Sequence, residues 1–134
     1  MKIPDLLLVY KSVHRSILDF AAPTYNSLLT ITQATQLEQL QRRALKIIYG
    51  HNFSYSDCLA TADIELLSDR RMNLTKNFAA KAVKNPRYSD GWFPKKPNTP
   101  YNTRNPQTYI ETKPRTERMK RNPINYMRKL LNNM

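Results

Sequence analysis

The chain has little cysteine, glycine, histidine or acid, and each shortage excludes something. Cys58 is the single cysteine. No intramolecular disulfide and no cysteine-based metal cluster can form, which suits a reducing compartment. Gly50 and Gly91 are the only glycines, so no glycine-rich loop exists to cradle a phosphate. His14 and His51 are far apart in sequence, and no His-Glu-x-x-His pattern occurs. A metal site therefore lacks a constellation, and no cofactor is expected. The N-terminal apolar run Leu6-Leu7-Leu8-Val9-Tyr10 is bounded by Asp5 and Lys11. It is too short for a secretory leader or a bilayer span. The expected location is intracellular, in nucleus or cytoplasm, with no membrane partner.

Base is abundant instead. Lys and Arg number 22 against 10 Asp and Glu, a formal net charge of +12. Residues 1–85 hold 11 basic and 7 acidic residues, a net of +4, while residues 86–134 hold 11 and 3, a net of +8. Seven of the nine prolines lie at or after Pro86. This balance favours polyanionic partners, nucleic acid before acidic lipid, over a merely soluble basic protein.

The first 85 residues read as helices. Leu6, Tyr10, Val13, Ile17 and Phe20 recur at spacings of four and three, one stripe of a helix that Pro4 can begin. Pro23 marks a break, and a short helical stretch near residues 23–30 follows. Thr32 or Thr35 can cap the next helix, with Glu38 completing a capping box from Thr35. Leu37, Leu40, Ala44 and Ile47 form its stripe, widened by Leu45 and Ile48, and Gly50 ends it. A shorter helix fits residues 56–62 behind Ser54 or Ser56. A long one fits 68–84, capped by Ser68, with Met72, Phe78, Ala79 and Val83 near one face. Asn85-Pro86 stops it. Beyond Pro86 periodicity fails amid prolines, charges and exposed aromatics, until Ile124, Met127 and Leu131 regain helical spacing. The expected fold is all-α: a small open bundle of three to four helices over residues 1–85, then a basic, mostly disordered tail over 86–134. A bundle of that size is marginal alone, so exposed apolar faces and self-association are expected.

Catalysis finds little support. Cys58 with His51 lacks an orienting third group, and a cysteine beside a short helix is usually a small buried apolar residue. Tyr55-Ser56-Asp57-Cys58 is superficially similar to the Tyr-x-Asp-Asp of polymerases, but Cys58 stands where the second metal-binding carboxylate is needed, and no apolar strand flanks it. Asp57, Asp63, Asp69 and Asp90 form no obvious metal pair. Basic residues remain. Lys11 and Arg15 share a helix face four residues apart. Arg42, Arg43 and Lys46 make a second patch. The tail adds Lys95, Lys96, Arg104, Lys113, Arg115, Arg118, Lys120 and Arg121, with Trp92, Phe93, Tyr101 and Tyr109 among them. Cations pair with phosphates and aromatics stack on unpaired bases; solvated helix faces and a plain polar tail are the ordinary alternative.

Four segments carry a resemblance. "LLLVYKSVHRSILDFAAPTYNSLL" (residues 6–29), "QLEQLQRRALKIIYG" (36–50), "LSDRRMNLTKNFAAKAVKNPRYSDGWFP" (67–94) and "RNPINYMRKLLNN" (121–133) resemble, in order, the region after the palm of non-LTR (LINE-type, jockey-like) retrotransposon reverse transcriptases. Ser16 stands where that family commonly has proline, and Tyr25 where it has tryptophan. The resemblance implies a thumb-like region, with fingers, palm and catalytic aspartates belonging upstream. The chain is then expected to be a truncated polymerase fragment, not an enzyme by itself, with residual sequence-indifferent nucleic-acid binding. Lys11, Arg15, Arg42, Arg43 and Lys46 are the candidate backbone contacts. The alternatives are a helical protein-interaction fragment and a relic without function.

Overall fold

The computed structural model describes residues 2–97, 101 and 107–134. Its elements are α1 (Ile3–Val9), a π-helical turn (Tyr10–His14), α2 (Arg15–Asp19), α3 (Ala22–Tyr25), α4 (Ile31–Tyr49), α5 (Tyr55–Ala62), α6 (Leu67–Lys84), α7 (Pro86–Trp92), α8 (Glu117–Lys120) and α9 (Pro123–Asn132). Among the described residues there is no strand, only an isolated bridge between Lys95 and Tyr109. The class is all-α, and three to four helices is an undercount. Two compact units form: Met1–Ala22 with Leu29–Asn73, and Pro23–Leu28 with Leu74–Met134. The break in composition at Pro86 does not coincide with this division.

In the first unit, α1, the π turn and α2 follow one another without a gap. Asp5 accepts from the Lys2 backbone N–H at 3.4 Å, which closes the first turn. Tyr10 is buried, yet Val13, Ile17 and Phe20 are 49%, 68% and 78% exposed. The expected stripe is thus cut after Tyr10. The π turn is the reason: its i→i+5 bonds take up an extra residue and offset the later side chains by roughly 100°, one α-helical step. The helix ends at Phe20 and Ala21, whose φ of 54° is left-handed. That is two residues earlier than the proline break suggests, and Pro23 lies inside α3.

α4 is capped by Thr30, two residues before the nearer of the two expected caps, Thr32. The Thr30 hydroxyl accepts from the Gln33 N–H at 3.2 Å, and the Gln33 side chain accepts from the Thr30 N–H at 3.0 Å. Thr35 lies inside the helix and donates to the Ile31 carbonyl. Gly50 ends α4 with φ 91°. The helix also sits rotated from its apparent stripe. Gln41, Leu45 and Ile48 face inward, while Leu40 and Ile47 are 56% and 71% exposed.

The rotation is tied to Gln41, which is fully buried. Its Oε1 accepts from the Tyr10 hydroxyl at 2.8 Å, and its Nε2 donates to the Tyr55 hydroxyl at 3.2 Å and the Glu65 carbonyl at 3.1 Å. Tyr55 donates in turn to Glu38. The other Glu38 oxygen accepts the Leu67 N–H at 3.1 Å, so a carboxylate from α4 caps the start of α6. A negative charge there also opposes the positive helix end. This corrects two expectations: Glu38 is no capping-box partner of Thr35, and α6 starts at Leu67, before Ser68. Around the network, Tyr10, Leu45, Ile48, Cys58, Ala62 and Ile64 form the core of this unit. α5 is capped by Ser54, which accepts the Asp57 N–H, and closes on left-handed Asp63.

The second unit has its own core of Ala79, Ala82, Phe93 and Met127, with Val83, Tyr88, Trp92, Tyr109 and Leu131 packed on it. Phe78 of the expected stripe is 39% exposed. Asn85 caps α7 and Asn122 caps α9 through their side-chain oxygens. The described part of the tail is tied to these helices. Arg128 donates to the Trp92 carbonyl at 2.6 Å, and Asn132 exchanges two hydrogen bonds with the Tyr109 backbone at 2.9 and 3.1 Å. Phe93 is 2% exposed and meets Tyr109 edge to face at 6.1 Å. Phe93 is core material and Tyr109 packs on it, so neither is a fully exposed stacking platform.

Replacing Gln41 by Ala leaves the buried Tyr10 hydroxyl without its acceptor. The expected loss is about 2 kcal/mol of unfolding free energy, read as a fall in the urea midpoint with unchanged slope. An unchanged midpoint contradicts the role given to this amide.

Candidate nucleic-acid interface

The five candidate cations divide into two groups, both in the first unit. Lys11 and Arg15 are both engaged by groups of the protein itself, Lys11 although it is exposed. The Lys11 ammonium donates to the Ala62 carbonyl at 2.8 Å, which satisfies the last turn of α5. The Arg15 side chain is 13% exposed and pairs with Glu65 at 3.6 Å. Glu65 also binds Arg70 at 3.3 Å and Asn73 at 3.1 Å, and Arg70 reaches Asp19 at 3.1 Å. Burial by itself lowers the Arg70 pKa, but the hydrogen bonds and charges of Asp19 and Glu65 together outweigh it and hold the guanidinium above its ordinary value. The cleft these side chains line, about 600 Å³, brings Lys11, Arg15 and Arg70 against Asp19, Asp63 and Glu65. Three positive charges face three negative ones, so a polyanion gains little there.

Arg42, Arg43 and Lys46 differ. Arg42 and Lys46 are four residues apart and Arg43 and Lys46 three, so they share one side of α4. The inward turn of Gln41, Leu45 and Ile48 leaves that side to solvent. Both arginines are exposed and Lys46 is half-buried. They line an open groove of about 420 Å³ with Gln39, Ile47 and His51, and no carboxylate is in its lining. Among the described residues none of the three cations is in an ion pair. The Arg42 guanidinium lies over the Tyr55 ring, 5.0 Å from its centroid. Such a contact contributes roughly 0.5–1 kcal/mol at an exposed site and fixes the guanidinium without using its N–H donors. His51 enters the groove because Gly50 turns the chain back at the end of α4; nothing in its sequence spacing marks it.

The tail cations are dispersed. Lys95, Lys113, Arg115, Arg118 and Arg121 are exposed. Lys96 donates to Gln107 at 2.7 Å, and Lys120 pairs with Glu117, whose carboxyl that contact holds below its ordinary pKa. Arg104 lies outside the described residues. Cys58 is buried in the first core, whereas His51 is exposed. Among the described residues, no group of three or more His, Cys, Asp or Glu could hold a metal ion, and no helix is long and apolar enough to cross a membrane. Compared with protein-family models, curated proteins and solved structures, the chain finds no match in any of the three.

The ring beneath Arg42 belongs to the buried phenol network, which gives a pH signature. Burial, and then the Glu38 hydrogen bond, push the Tyr55 phenol well above its ordinary value, and burial pushes Tyr10 up to about 12. A raised phenol pKa means the folded state keeps a proton that the unfolded state releases near pH 10. The stabilisation is complete below about pH 10 and is lost as pH rises towards 12. Tyr10 and Tyr55 are therefore expected to ionise only as the chain unfolds, when absorbance at 295 nm and far-UV circular dichroism are followed together. Complete tyrosine ionisation near pH 10 with the helical signal intact contradicts the network.

Proposed function

We propose that this chain binds nucleic acid through its phosphate backbone, without sequence preference, on the outward side of α4. The observation that carries the reading is the groove of Arg42, Arg43, Lys46 and His51 with no carboxylate in its lining. Guanidinium groups suit phosphate because two parallel N–H donors meet two oxygens. Four residues of helix separate Arg42 and Lys46 by about 6 Å along the axis, close to two steps of a nucleic-acid strand at about 3.4 Å each. Backbone contacts of this kind position a duplex and carry no direct sequence readout.

On the resemblance of its ordered motifs, the region is read as part of a non-LTR retrotransposon reverse transcriptase that follows the palm. Its task is then to hold template and primer for catalytic aspartates belonging elsewhere in such a polymerase, and it performs no chemistry of its own. The balanced cleft at Lys11 and Arg15 supports moving those two residues from contact to scaffold. A second reading, docking of a protein on the helices, is favoured by the exposure of Leu40 and Ile47.

A titration of a primer–template duplex against the full chain tests the first reading. Changing Arg42, Arg43 and Lys46 together to Gln is expected to weaken binding roughly tenfold or more at ~0.1 M salt, and to reduce the slope of log affinity against log salt by about 2 to 3. Lys11→Gln is expected to leave that slope unchanged. If the triple change leaves both affinity and slope alone, the groove on α4 is not the interface.

A further inference from the structure

A second groove, about 580 Å³, lies on the same helix and is lined by Leu29, Gln33, Leu37, Leu40 and Arg43 among others. It shares Gln39 and Arg43 with the basic groove, so the two run into one trough along α4. The trough is polarised. Its N-terminal half is walled by leucines and glutamines, and its C-terminal half by Arg42, Arg43, Lys46 and His51. Leu40 and Ile47, seven residues and two helical turns apart, lie exposed along it. Isolated exposed apolar residues are ordinary on a protein surface. Two in helical register beside a groove offer an apolar seam along which the apolar face of another helix can lie.

We propose that this trough is a docking site for an acidic amphipathic helix of a partner protein, lying antiparallel to α4. Charge selects the occupant. A nucleic-acid backbone can use the cationic half, but it offers nothing to the leucines. A second copy brings the same net charge of +12 and, in a two-fold pairing, the same patch. A helix with Asp or Glu in its first turns and Leu, Met or Phe further along satisfies both halves. Acidic residues favour helix N-termini, and the antiparallel arrangement sets that end beside the cations at the C-terminal end of α4. Gln33 to Ile47 spans about 21 Å of α4, so a partner helix of roughly four turns fills the trough. Arg43 belongs to both halves, so this helix and nucleic acid exclude one another.

The test uses the full chain and a fluorescein-labelled 16-residue peptide with carboxylates in its first two turns and leucines at helical spacing after them. Its control is a scrambled peptide of identical composition. The expected result is saturable binding about tenfold or more tighter than the scramble, weakened about tenfold by Leu40→Gln and by Arg43→Glu. Leu40 is exposed, so Leu40→Gln keeps the fold, which circular dichroism checks, and it leaves duplex affinity unchanged. Excess duplex displaces the peptide. Equal affinity for the scramble, or indifference to Leu40→Gln, overturns the proposal, since only polycation attraction then remains. Duplex binding without peptide binding also overturns it and leaves nucleic acid as the occupant. Peptide binding without duplex binding supports it and overturns the function proposed above instead.

Discussion

A buried primary amide governs the first unit. A glutamine out of water must place its hydrogen bonds or incur a desolvation cost of about 1–3 kcal/mol, so Gln41 restricts the structure around it. It joins Tyr10 of the N-terminal helix, Tyr55 of α5 and the Glu65 backbone to α4. Tyr55 extends the chain of bonds to Glu38, which caps α6. Four segments of chain thereby share one polar network inside an apolar shell. Hydrophobic burial favours any rotation that hides enough leucine; the hydrogen bonds admit few, and they select the one that carries Leu45 and Ile48 inward.

The same rotation determines which side chains the unit shows to its surroundings. With Gln41 inward, Leu40 and Ile47 turn outward, and Arg42, Arg43 and Lys46 keep an open side of the helix. The π turn at Tyr10–His14 acts in parallel on the N-terminal helix: it keeps Tyr10 at the network and swings Val13, Ile17 and Phe20 away. Surface and core are two consequences of one packing choice. Charge then sorts the surface. Where Lys11, Arg15 and Arg70 meet acceptors they fasten one segment of the chain to another, and where the arginines of α4 meet no carboxylate they stay available.

Local signals were legible from the residues. Gly50, Ser54 and the Asn85-Pro86 pair mark helix ends that the structure keeps, because capping depends on neighbours within a few positions. The C-terminal pattern of Ile124, Met127 and Leu131 also holds: Met127 is buried and Leu131 packs on its cluster. The features that escaped the sequence depend on distant partners. An apolar count ranks Leu40 above Gln41, since it cannot see that Tyr10 lies 31 positions away as a hydrogen-bond donor. Lys11 and Arg15 look like a free basic pair because Ala62 and Glu65 are some 50 residues further on. Phe93 and Tyr109 look exposed until α9 supplies a core for them. Arg42, Arg43 and Lys46 were legible as a patch from spacing alone, but their freedom from carboxylates was not.

The central claim is that α4 presents its cationic side to a ligand while Lys11 and Arg15 stay within the scaffold. Backbone amide shifts of the isotope-labelled full chain, followed as a short duplex is added, test this most directly. The account predicts perturbations concentrated from Gln39 to His51, with residues 11–15 unmoved. Perturbations confined to the cations beyond Pro86, with α4 silent, would contradict it.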